Sequence, residues 1–276
     1  MNISASLVLF NSPVRQFESC IDSFLAACPE GVLHVADNSA DPLISQRFTH
    51  SRVVYRHMSR NLGFGAAHNV CMRDACTRSD IHLLLNPDVH FGTDVIEALS
   101  AAFTQDLNLM AAMPQIRYPD GTLQRLCKLL PTPWDLFVRR FLPIRSLQEQ
   151  RNSRYELHGL PQDSASEVPT LSGCFLAMRS IDLLAIEGFD ERFFMYMEDV
   201  DLVRRLGLRG AIRYLPEIHV VHEYAKGSYR SRKLLGYHLK SAILYFNKWG
   251  WLIDSYRRRV NAACLERLGG KKTRPN

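Results

Sequence analysis

Short apolar runs alternate with amphipathic stretches through the first hundred residues of the chain. The runs at 4–10, 32–36, 53–56 and 81–85 have the length and side chains of buried strands. Apolar residues at helical spacing predict helices over 14–27, from 64 to about 75 and from 93 or 94 to about 103. Strand and helix in this alternation predict an α/β fold with a mostly parallel central sheet covered by helices on both faces.

The pattern continues less regularly in the second half. Strands are predicted at 170–178 and 211–215, an extended segment at 218–222, and helices at 181–187, from 198 to 206 and from about 232 to 248. Residues 125–167 are rich in Arg, Gln, Pro and Ser, and are expected to form a mobile loop or an inserted helical pair over a site. We therefore expect a domain over 1–225, with halves 1–105 and 106–225, followed by a C-terminal basic helical tail over 226–276.

Composition places the chain among ordinary globular proteins. Of its 276 residues, 46% are hydrophobic and 22% are charged. No apolar run reaches the ~18–20 residues of a spanning helix, and the N-terminus, which lacks a basic segment, is expected to be a buried strand and not a signal peptide. The seven cysteines are scattered without a Cys-x-x-Cys pair, which favours reduced thiols and a cytosolic compartment.

The net charge of +6 is unevenly distributed. Residues 226–276 carry 13 Lys/Arg against two acids, so the basic excess belongs to the tail. Such a segment favours a polyanionic partner, either an anionic membrane or a nucleic acid. Apolar residues at four-three spacing (Leu235, Leu239, Ala242, Phe246 and Trp249), with Trp251 and Tyr256 beyond them, fit a membrane interface. They equally fit a helix packed on the domain, and the two interpretations are compatible.

Two acidic residues follow predicted parallel strands, at the edge where α/β sheets bind ligands. Asp88 ends the sequence Asn86-Pro87-Asp88 directly after a buried run, where its carboxylate can hold Mg²⁺ or Mn²⁺ or can simply order a turn. Asp37 begins Asp37-Asn38-Ser39, which can bind a nucleobase or ribose or can form an Asx turn. The loop at 60–69 carries two glycines before a helix, a geometry that suits an anion, although it matches neither a Walker loop nor a dinucleotide fingerprint.

A third acidic group opens the helix at 198. Glu198, Asp199 and Asp201 either favour the helix dipole or supply a general base, whose pKa the preceding apolar residues 193–197 would raise. Asp201 is expected to be structural, since it cannot share a helix face with Asp199. Of His219 and His222, which alternate across a strand, at most one can enter a site, and His222 is the better candidate for metal or phosphate contact.

Taken in order, these segments resemble the inverting glycosyltransferases of family 2 with the GT-A fold, in the branch of rhamnosyltransferases that build bacterial surface polysaccharide. The matching segments extend over about residues 3–250: Val35-Ala36-Asp37-Asn38-Ser39, Asn61-Leu62-Gly63-Phe64-Gly65 with Asn69, Leu84-Leu85-Asn86-Pro87-Asp88, Ser172-Gly173-Cys174-Phe175-Leu176, Gly188-Phe189-Asp190-Glu191, Phe194 to Leu202, and His222 to Ser228.

The resemblance implies a role for each matching residue. Glu198 and Asp199 would supply the catalytic base, with Asp199 preferred. Asp88 would be the acid of a DxD-like motif on the metal side, where Asn86 replaces the first acid and His222 gains weight as a ligand of Mg or Mn. Asp37 would help to hold the nucleotide base. The other residues implied to contact the nucleotide-sugar are Asn38, Asn61, Gly63, Phe64, Asn69, Asn86 and Gly173.

The implied function is metal-dependent, inverting transfer of a sugar, best matched by L-rhamnose from dTDP-L-rhamnose, to a hydroxyl of a lipid-linked saccharide. The enzyme would be cytoplasmic and peripheral at the inner face of the bacterial plasma membrane, held by its C-terminal tail, with no nucleic acid expected. One alternative is a family 2 transferase that uses another donor, such as a UDP-hexose. An alternative of another class is a polyanion- or membrane-binding module without catalysis.

Overall fold

The computed structural model describes residues 1–136, 149, 152–223 and 232–269. The strands are β1 (Ile3–Leu9), β2 (Val32–Asp37), β3 (Val53–His57), β4 (Ile81–Leu85), β5 (Val89–His90), β6 (Leu109–Arg117), β7 (Ser166–Glu167), β8 (Phe175–Arg179) and β9 (Ala211–His222). The helices are α1 (Val14–Ala27), α2 (Phe64–Ala75), α3 (Thr93–Gln105), α4 (Ser180–Ala185), α5 (Glu198–Gly207), α6 (Arg232–Trp249) and α7 (Ser255–Gly269).

One sheet runs through the described part of the chain, in the order β3-β2-β1-β4-β8-β6-β9-β5, with β7 paired to β9. Strands β3, β2, β1 and β4 are parallel to their neighbours. Strand β8 is antiparallel to both β4 and β6, whereas β6 and β9 are parallel. The expected α/β fold with a mostly parallel sheet is therefore confirmed. Because β8 runs against β4, the start of β8 lies beside the end of β4, and segments from both halves meet at one edge.

Helices cover the two faces of the parallel half in the way that the alternating side chains predict. On β1, Leu7 and Leu9 pack with Phe17 of α1, whereas the intervening Val8 packs with Ala67 and Cys71 of α2. All seven cysteines are buried free thiols, as their apolar contexts predicted.

The C-terminal helices pack on the sheet domain. Ala242, Tyr245 and Phe246 of α6 form a buried cluster with Phe193 and Met197, which precede α5. A second tie is polar, because α7 places Asn261 against the backbone of Leu130, with hydrogen bonds in both directions at 2.9 Å. The packed interpretation of the tail is therefore the one seen for α6 and α7, and the predicted boundary at 225/226 does not separate them from the domain's core.

Several elements differ from the expected ones. The segments expected at 211–215 and 218–222 form the single strand β9, with a register shift relative to β6 around Pro216, where proline is tolerated because a bulge leaves its nitrogen unpaired. Strand β6 and helix α7 were not predicted. The expected loop or helical pair at 125–167 lies partly outside the described residues. Residues 224–228 of the His222–Ser228 motif and the last seven residues of the tail also lie outside them. Within the described helices, none combines the length and apolarity needed to cross a membrane.

Candidate active site

The end of β4 and the start of β8 bring two predicted segments together, the Asn86–Asp88 turn and Gly173. The backbone N–H of Asn86 donates to the carbonyl oxygen of Cys174 at 2.8 Å, so the Asn86–Asp88 turn lies against Gly173 and Cys174. Both Asp88 and Asp199 are close enough to raise the pKa of the buried Cys174 thiol, for which desolvation is the main cause. Asp88 and Asp199, which are far apart along the chain, therefore both lie near Cys174.

Strand pairing places His222 beside Asp88. Val89 of β5 lies opposite His222 of β9, and the N–H of Glu223 donates to the carbonyl oxygen of Asp88 at 2.8 Å. As a result, His222 Nε2 lies 3.2 Å from Asp88 Oδ1. His219 on the same strand is exposed, which confirms that only one of the two histidines faces this side.

Gln124 holds the other side of the His222 ring. Its Oε1 lies 2.9 Å from His222 Nδ1, and its Nε2 donates to the carbonyl oxygen of His222 at 2.8 Å. Gln124 is buried and follows the loop after β6. No pattern in the sequence indicates a role for Gln124, because a lone glutamine in a polar segment carries no recognisable signal.

The Asp88–His222 pair is suitable for a divalent cation. Asp88 Oδ1 is buried, accepts no hydrogen bond from the described residues, and lies 3.2 Å from His222 Nε2. Two ligands at right angles on an ion with bonds of about 2.1 Å lie about 3 Å apart, close to the separation seen here. Among the described residues, no cluster of three His, Cys, Asp or Glu side chains is arranged for a metal. Mg²⁺ and Mn²⁺ sites with few protein ligands fit this arrangement, because substrate phosphates and water complete them.

The candidate base stands at the start of α5, on a strained turn. Tyr196 and Met197, which precede Glu198, both have positive φ, 68° and 66°, in the left-handed region that side chains other than glycine rarely adopt. Strain of this kind persists where the surroundings enforce it, and it is concentrated at functional sites. Here Ser241 of α6 donates to the carbonyl oxygen of Met195 at 2.8 Å, and so helps to hold the turn.

Asp199 and Glu198 differ sharply in environment. The carboxylate of Asp199 is partly exposed and accepts hydrogen bonds from the N–H groups of Gly173 at 3.1 Å and Val200 at 2.8 Å. Glu198 is buried, and its Oε2 accepts no hydrogen bond from the described residues. Burial, followed by the charge of Asp199, raises the pKa of Glu198 to about 8. Only Asp199 combines an accessible carboxylate with a fixed orientation.

A pH-dependent stability follows from Glu198. Its pKa is raised on folding, so the native state retains a proton that the unfolded chain loses above about 4.5. This contribution is complete below that pH and is lost, by about 1.4 kcal/mol per pH unit, as pH rises towards about 8. We expect Glu198→Gln to gain stability relative to the wild type between pH 5 and pH 8, measured by urea unfolding of the metal-free proteins. A difference that stays constant over this range would contradict the buried neutral carboxyl.

The Asp37 turn lies at the end of β2 and is held by the protein itself. Burial would raise the pKa of Asp37, but hydrogen bonds from Leu43, Ser39 and Tyr55 outweigh it, and the pKa lies below its ordinary value. Asn38 connects this turn to the glycine-bearing loop, donating to the carbonyl oxygen of Gly63 at 3.1 Å. The turn therefore has an Asx-type backbone bond, from Ser39 N–H to Asp37, and contact with a nucleotide stays a prediction.

The loop before α2 is shaped by contacts with the turn before α5. Asn61 accepts the N–H of Gly63, and Gly63 has a φ of 87°, where a Cβ would lie 2.4 Å from the carbonyl oxygen of Phe194. Phe64 donates its N–H to that same oxygen. The amide of Asn69 accepts from the N–H of Phe189 and donates to its carbonyl oxygen, at 2.8 and 2.9 Å. These residues join the two halves at the site, and their predicted contacts with the donor are untested.

Helix α6 packs against the segment that carries the candidate base. The contacts of Lys248 and Trp249 with Asp201 were not indicated by any pattern in the sequence. Asp201 is fully buried and pairs with Arg205, with Lys248 and with the indole N–H of Trp249, the last at 2.7 Å. The structural role expected for Asp201 is confirmed.

A separate concavity of about 700 Å³ lies between α2, α4 and α6. It includes Asn69, Arg73 and Lys248 but neither Asp88 nor Asp199. Its lining is of mixed charge, and it does not coincide with the acidic site.

Comparison with known proteins supports a sequence relationship with two bacterial enzymes. An N-acetylglucosaminyl-diphospho-decaprenol L-rhamnosyltransferase of Mycobacterium tuberculosis is 32% identical over 196 residues, which are 67% of this chain and 64% of that protein. The chain therefore matches somewhat less than two thirds of that relative. Rhamnosyltransferase WbbL of Escherichia coli is 28% identical over 222 residues, 76% of this chain and 80% of the relative. No protein-family model matches the chain.

Solved structures with a similar fold are glycosyltransferases. GalNAc-T7, solved with UDP, GalNAc and Mn²⁺, superposes with a TM-score of 0.62 at 14% identity over 96% of this chain and 51% of that one. Staphylococcus aureus TarS with UDP-GlcNAc gives 0.58 at 15% identity, over 97% and 72% of the two chains. The mannosyltransferase PcManGT of Pyrobaculum calidifontis, with GDP-Man and Mn²⁺, gives 0.56 at 14% over 99% and 76%.

The chain is therefore similar in sequence to two bacterial rhamnosyltransferases and shares the fold of solved glycosyltransferases, which agrees with the GT-A fold that the resemblance of its ordered motifs implied.

Proposed function

We propose that this protein is an inverting glycosyltransferase that moves L-rhamnose from dTDP-L-rhamnose to a hydroxyl of a lipid-linked saccharide in cell-surface polysaccharide synthesis. The observation that carries the proposal is the convergence of Asp88, His222 and Asp199 on the segment Gly173–Cys174. Asp88 lies 3.2 Å from His222 and follows Asn86, which donates to Cys174, while Asp199 accepts the N–H of Gly173. The names of the sequence relatives support the sugar, and that of the mycobacterial protein supports a lipid-diphosphate acceptor.

Asp199 is the proposed base. Its Oδ1 and Oδ2 accept backbone N–H groups, which leaves the remaining lone pairs to take the proton of the acceptor hydroxyl. The oxygen of the acceptor hydroxyl then attacks the anomeric carbon from the face opposite the departing diphosphate. This single displacement inverts the anomeric centre. Glu198, which is buried at the first position of α5 and has a raised pKa, does not receive the proton in this scheme.

Asp88 and His222 are the proposed protein ligands of a divalent metal, Mg or Mn. The bound ion would offset the negative charge that develops on the leaving nucleoside diphosphate. Asn86 cannot supply the second carboxylate, so His222 takes a larger share of the affinity. The Mn²⁺ in the GalNAc-T7 and PcManGT structures supports a divalent ion without deciding between Mg and Mn.

The nucleotide half is proposed to be 1–105, and the acceptor half 106–225. The loops at 37–39 and 61–69, which are tied together by Asn38 and Gly63, would receive the nucleotide, with Gly173 and Asn86 beneath the diphosphate. The runner-up is the same chemistry with a UDP-hexose, which the UDP-GlcNAc complex of TarS keeps open.

The donor and the metal can be tested together by thermal shift. We expect dTDP-rhamnose with Mn²⁺ to raise the melting temperature of the wild type, since a ligand at 100 times its Kd adds about 2.7 kcal/mol. In Asp88→Asn the part of the shift that depends on Mn²⁺ should be lost, because one of two protein ligands has lost its charge. An equal shift with and without Mn²⁺ in the wild type would refute the metal site. A larger increase in melting temperature with a UDP-hexose than with dTDP-rhamnose would identify the UDP-hexose as the donor. No increase with any nucleotide-sugar would refute the proposal that the protein is a glycosyltransferase.

The tail is proposed to hold the enzyme at the inner face of the plasma membrane through the loop between α6 and α7. Leu252 and Ile253 are each 79% exposed there, next to the exposed Trp251. The guanidinium of Arg258 donates to the carbonyl oxygen of Leu252 at 3.3 Å, so a cation stands beside the apolar tip. Apolar residues flanked by arginines suit an anionic bilayer.

A charge placed in this loop is expected to weaken vesicle binding. The double variant Leu252→Glu/Ile253→Glu should bind vesicles of anionic phospholipid at least tenfold more weakly, because two side chains worth about 1.5–3 kcal/mol each no longer enter the bilayer. The matched control is Ile44→Glu/Leu107→Glu, which makes the same exchanges at residues that are 87% and 79% exposed elsewhere. Equal binding by the two double variants in a flotation assay would contradict the proposed loop.

A further inference from the structure

The side-chain amide of Gln124 holds His222, and its hydrogen bonds fix which end of the amide is the NH₂ group. Gln124 Nε2 donates to the carbonyl oxygens of His222 at 2.8 Å and of Arg117 at 3.4 Å. Backbone carbonyls only accept hydrogen bonds, so this end of the amide must be the NH₂ group. Gln124 Oε1 therefore faces His222 Nδ1 at 2.9 Å and acts as an acceptor.

We infer that Gln124 is a positioning residue that fixes the tautomer of His222 for the metal proposed above. An acceptor at Nδ1 requires the ring to carry its hydrogen there, and the neutral ring then presents the Nε2 lone pair. That lone pair is directed to the side of Asp88 Oδ1, which lies 3.2 Å away and is also an acceptor. Two acceptors at this distance repel each other unless a cation or a proton lies between them.

Burial and a backbone hydrogen bond hold Gln124 in place beside His222. Gln124 and His222 are 6% and 5% exposed, so water does not compete freely for either group. The N–H of Gln124 also donates to the carbonyl oxygen of Ile116 at 2.8 Å, which ties its backbone to β6. Histidine ligands commonly donate their second N–H to a neighbouring oxygen, and loss of that partner typically lowers metal affinity 10- to 100-fold.

Two substitutions separate tautomer control from simple packing. Gln124→Glu keeps an oxygen that accepts from Nδ1 but loses the N–H that donates to the carbonyl oxygen of His222. Gln124→Met fills similar space and loses both interactions. If Gln124 acts on the tautomer, Mn²⁺ affinity should fall 10- to 100-fold in the Met variant and change little in the Glu variant. If it serves only to pack and to satisfy the carbonyl, the two variants should lose affinity equally.

The experiment uses the full chain and two readouts that do not depend on turnover. Free Mn²⁺ is counted by EPR to obtain the affinity, and ¹⁵N NMR of labelled histidine in the metal-free protein reports which ring nitrogen carries hydrogen. The Nδ1–H form in the wild type, lost in Gln124→Met and kept in Gln124→Glu, would support the inference. An Nε2–H form in the wild type, or equal affinities of the two variants, would overturn it. Because the inference rests on the proposed metal site, a wild type that binds no Mn²⁺ refutes that site, while the NMR result still decides the tautomer.

Discussion

Asp199→Asn should lower the turnover of sugar donor and acceptor by 10²- to 10⁴-fold, the range that a positioned general base contributes. An asparagine preserves the size of the side chain, and its oxygen still accepts one of the two N–H groups that Asp199 holds. The stability cost should therefore be only about 1 kcal/mol, that of one hydrogen bond. The measurement is kcat under saturating donor and acceptor, with urea unfolding of the same preparation.

Asp201→Asn provides the matched control two residues away. Asp201 is fully buried and pairs with Arg205, Lys248 and Trp249, so its loss should lower stability by several kcal/mol. At a temperature where it remains folded, its kcat should fall less than tenfold. Turnover by Asp199→Asn within tenfold of the wild type would remove Asp199 from the proposed mechanism, and Glu198 would then be the acid to test.

Asp254→Ala should destabilise the whole protein by about 3–5 kcal/mol, because it leaves the charge of Arg204 buried without its partner. Both side chains are 2% exposed, and two parallel hydrogen bonds of 2.7 and 2.8 Å join them. Arg204 also stacks over Trp249 at 4.1 Å. Total stabilities are about 5–15 kcal/mol, so this loss is a large fraction of the whole. Urea unfolding gives the free energy directly.

The exposed pair of Arg56 and Asp74 is the control for this prediction. Asp74→Ala breaks an ion pair of the same length, 2.7 Å, whose side chains are 41% and 60% exposed, and should leave the free energy of unfolding nearly unchanged because solvent screens the pair. In the double variant Arg204→Met/Asp254→Leu the buried charge disappears, and much of the lost stability should return. Similar losses in Asp254→Ala and Asp74→Ala would contradict the account of the buried pair.

The buried ion pair of Arg204 and Asp254 also affects experiments that shorten the tail. Arg204 lies on α5, six positions after Glu198 and five after Asp199, whereas Asp254 lies beyond α6. Truncation after Trp249 would therefore leave Arg204 unpaired and would disturb the base-bearing helix. Substitution of the exposed Leu252 and Ile253 tests membrane contact without this loss.

Local patterns were sufficient for most of the parallel half. The strands at β1 to β4 and helices α1 to α3 were predicted because each has a periodic apolar face of its own. Strand β6 was missed because its alanines and Pro114 weaken the strand signal, and β9 was divided at Pro216. Helix α7 escaped prediction since it is polar and lacks a continuous apolar face.

The sequence by itself determined which residues are candidates for the chemistry, their order and the GT-A resemblance, because motifs and short-range periodicity are properties of neighbouring residues. Only the tertiary structure decided that β5 pairs with β9 and thereby brings His222 to Asp88, and that Gln124 lies behind the ring. It also decided that Glu198 is buried, which raises its pKa to about 8. The packing of α6 and α7 on the sheet domain was likewise decided only by the tertiary structure. Each depends on groups that are distant along the chain and meet only through the sheet order, which no local pattern encodes.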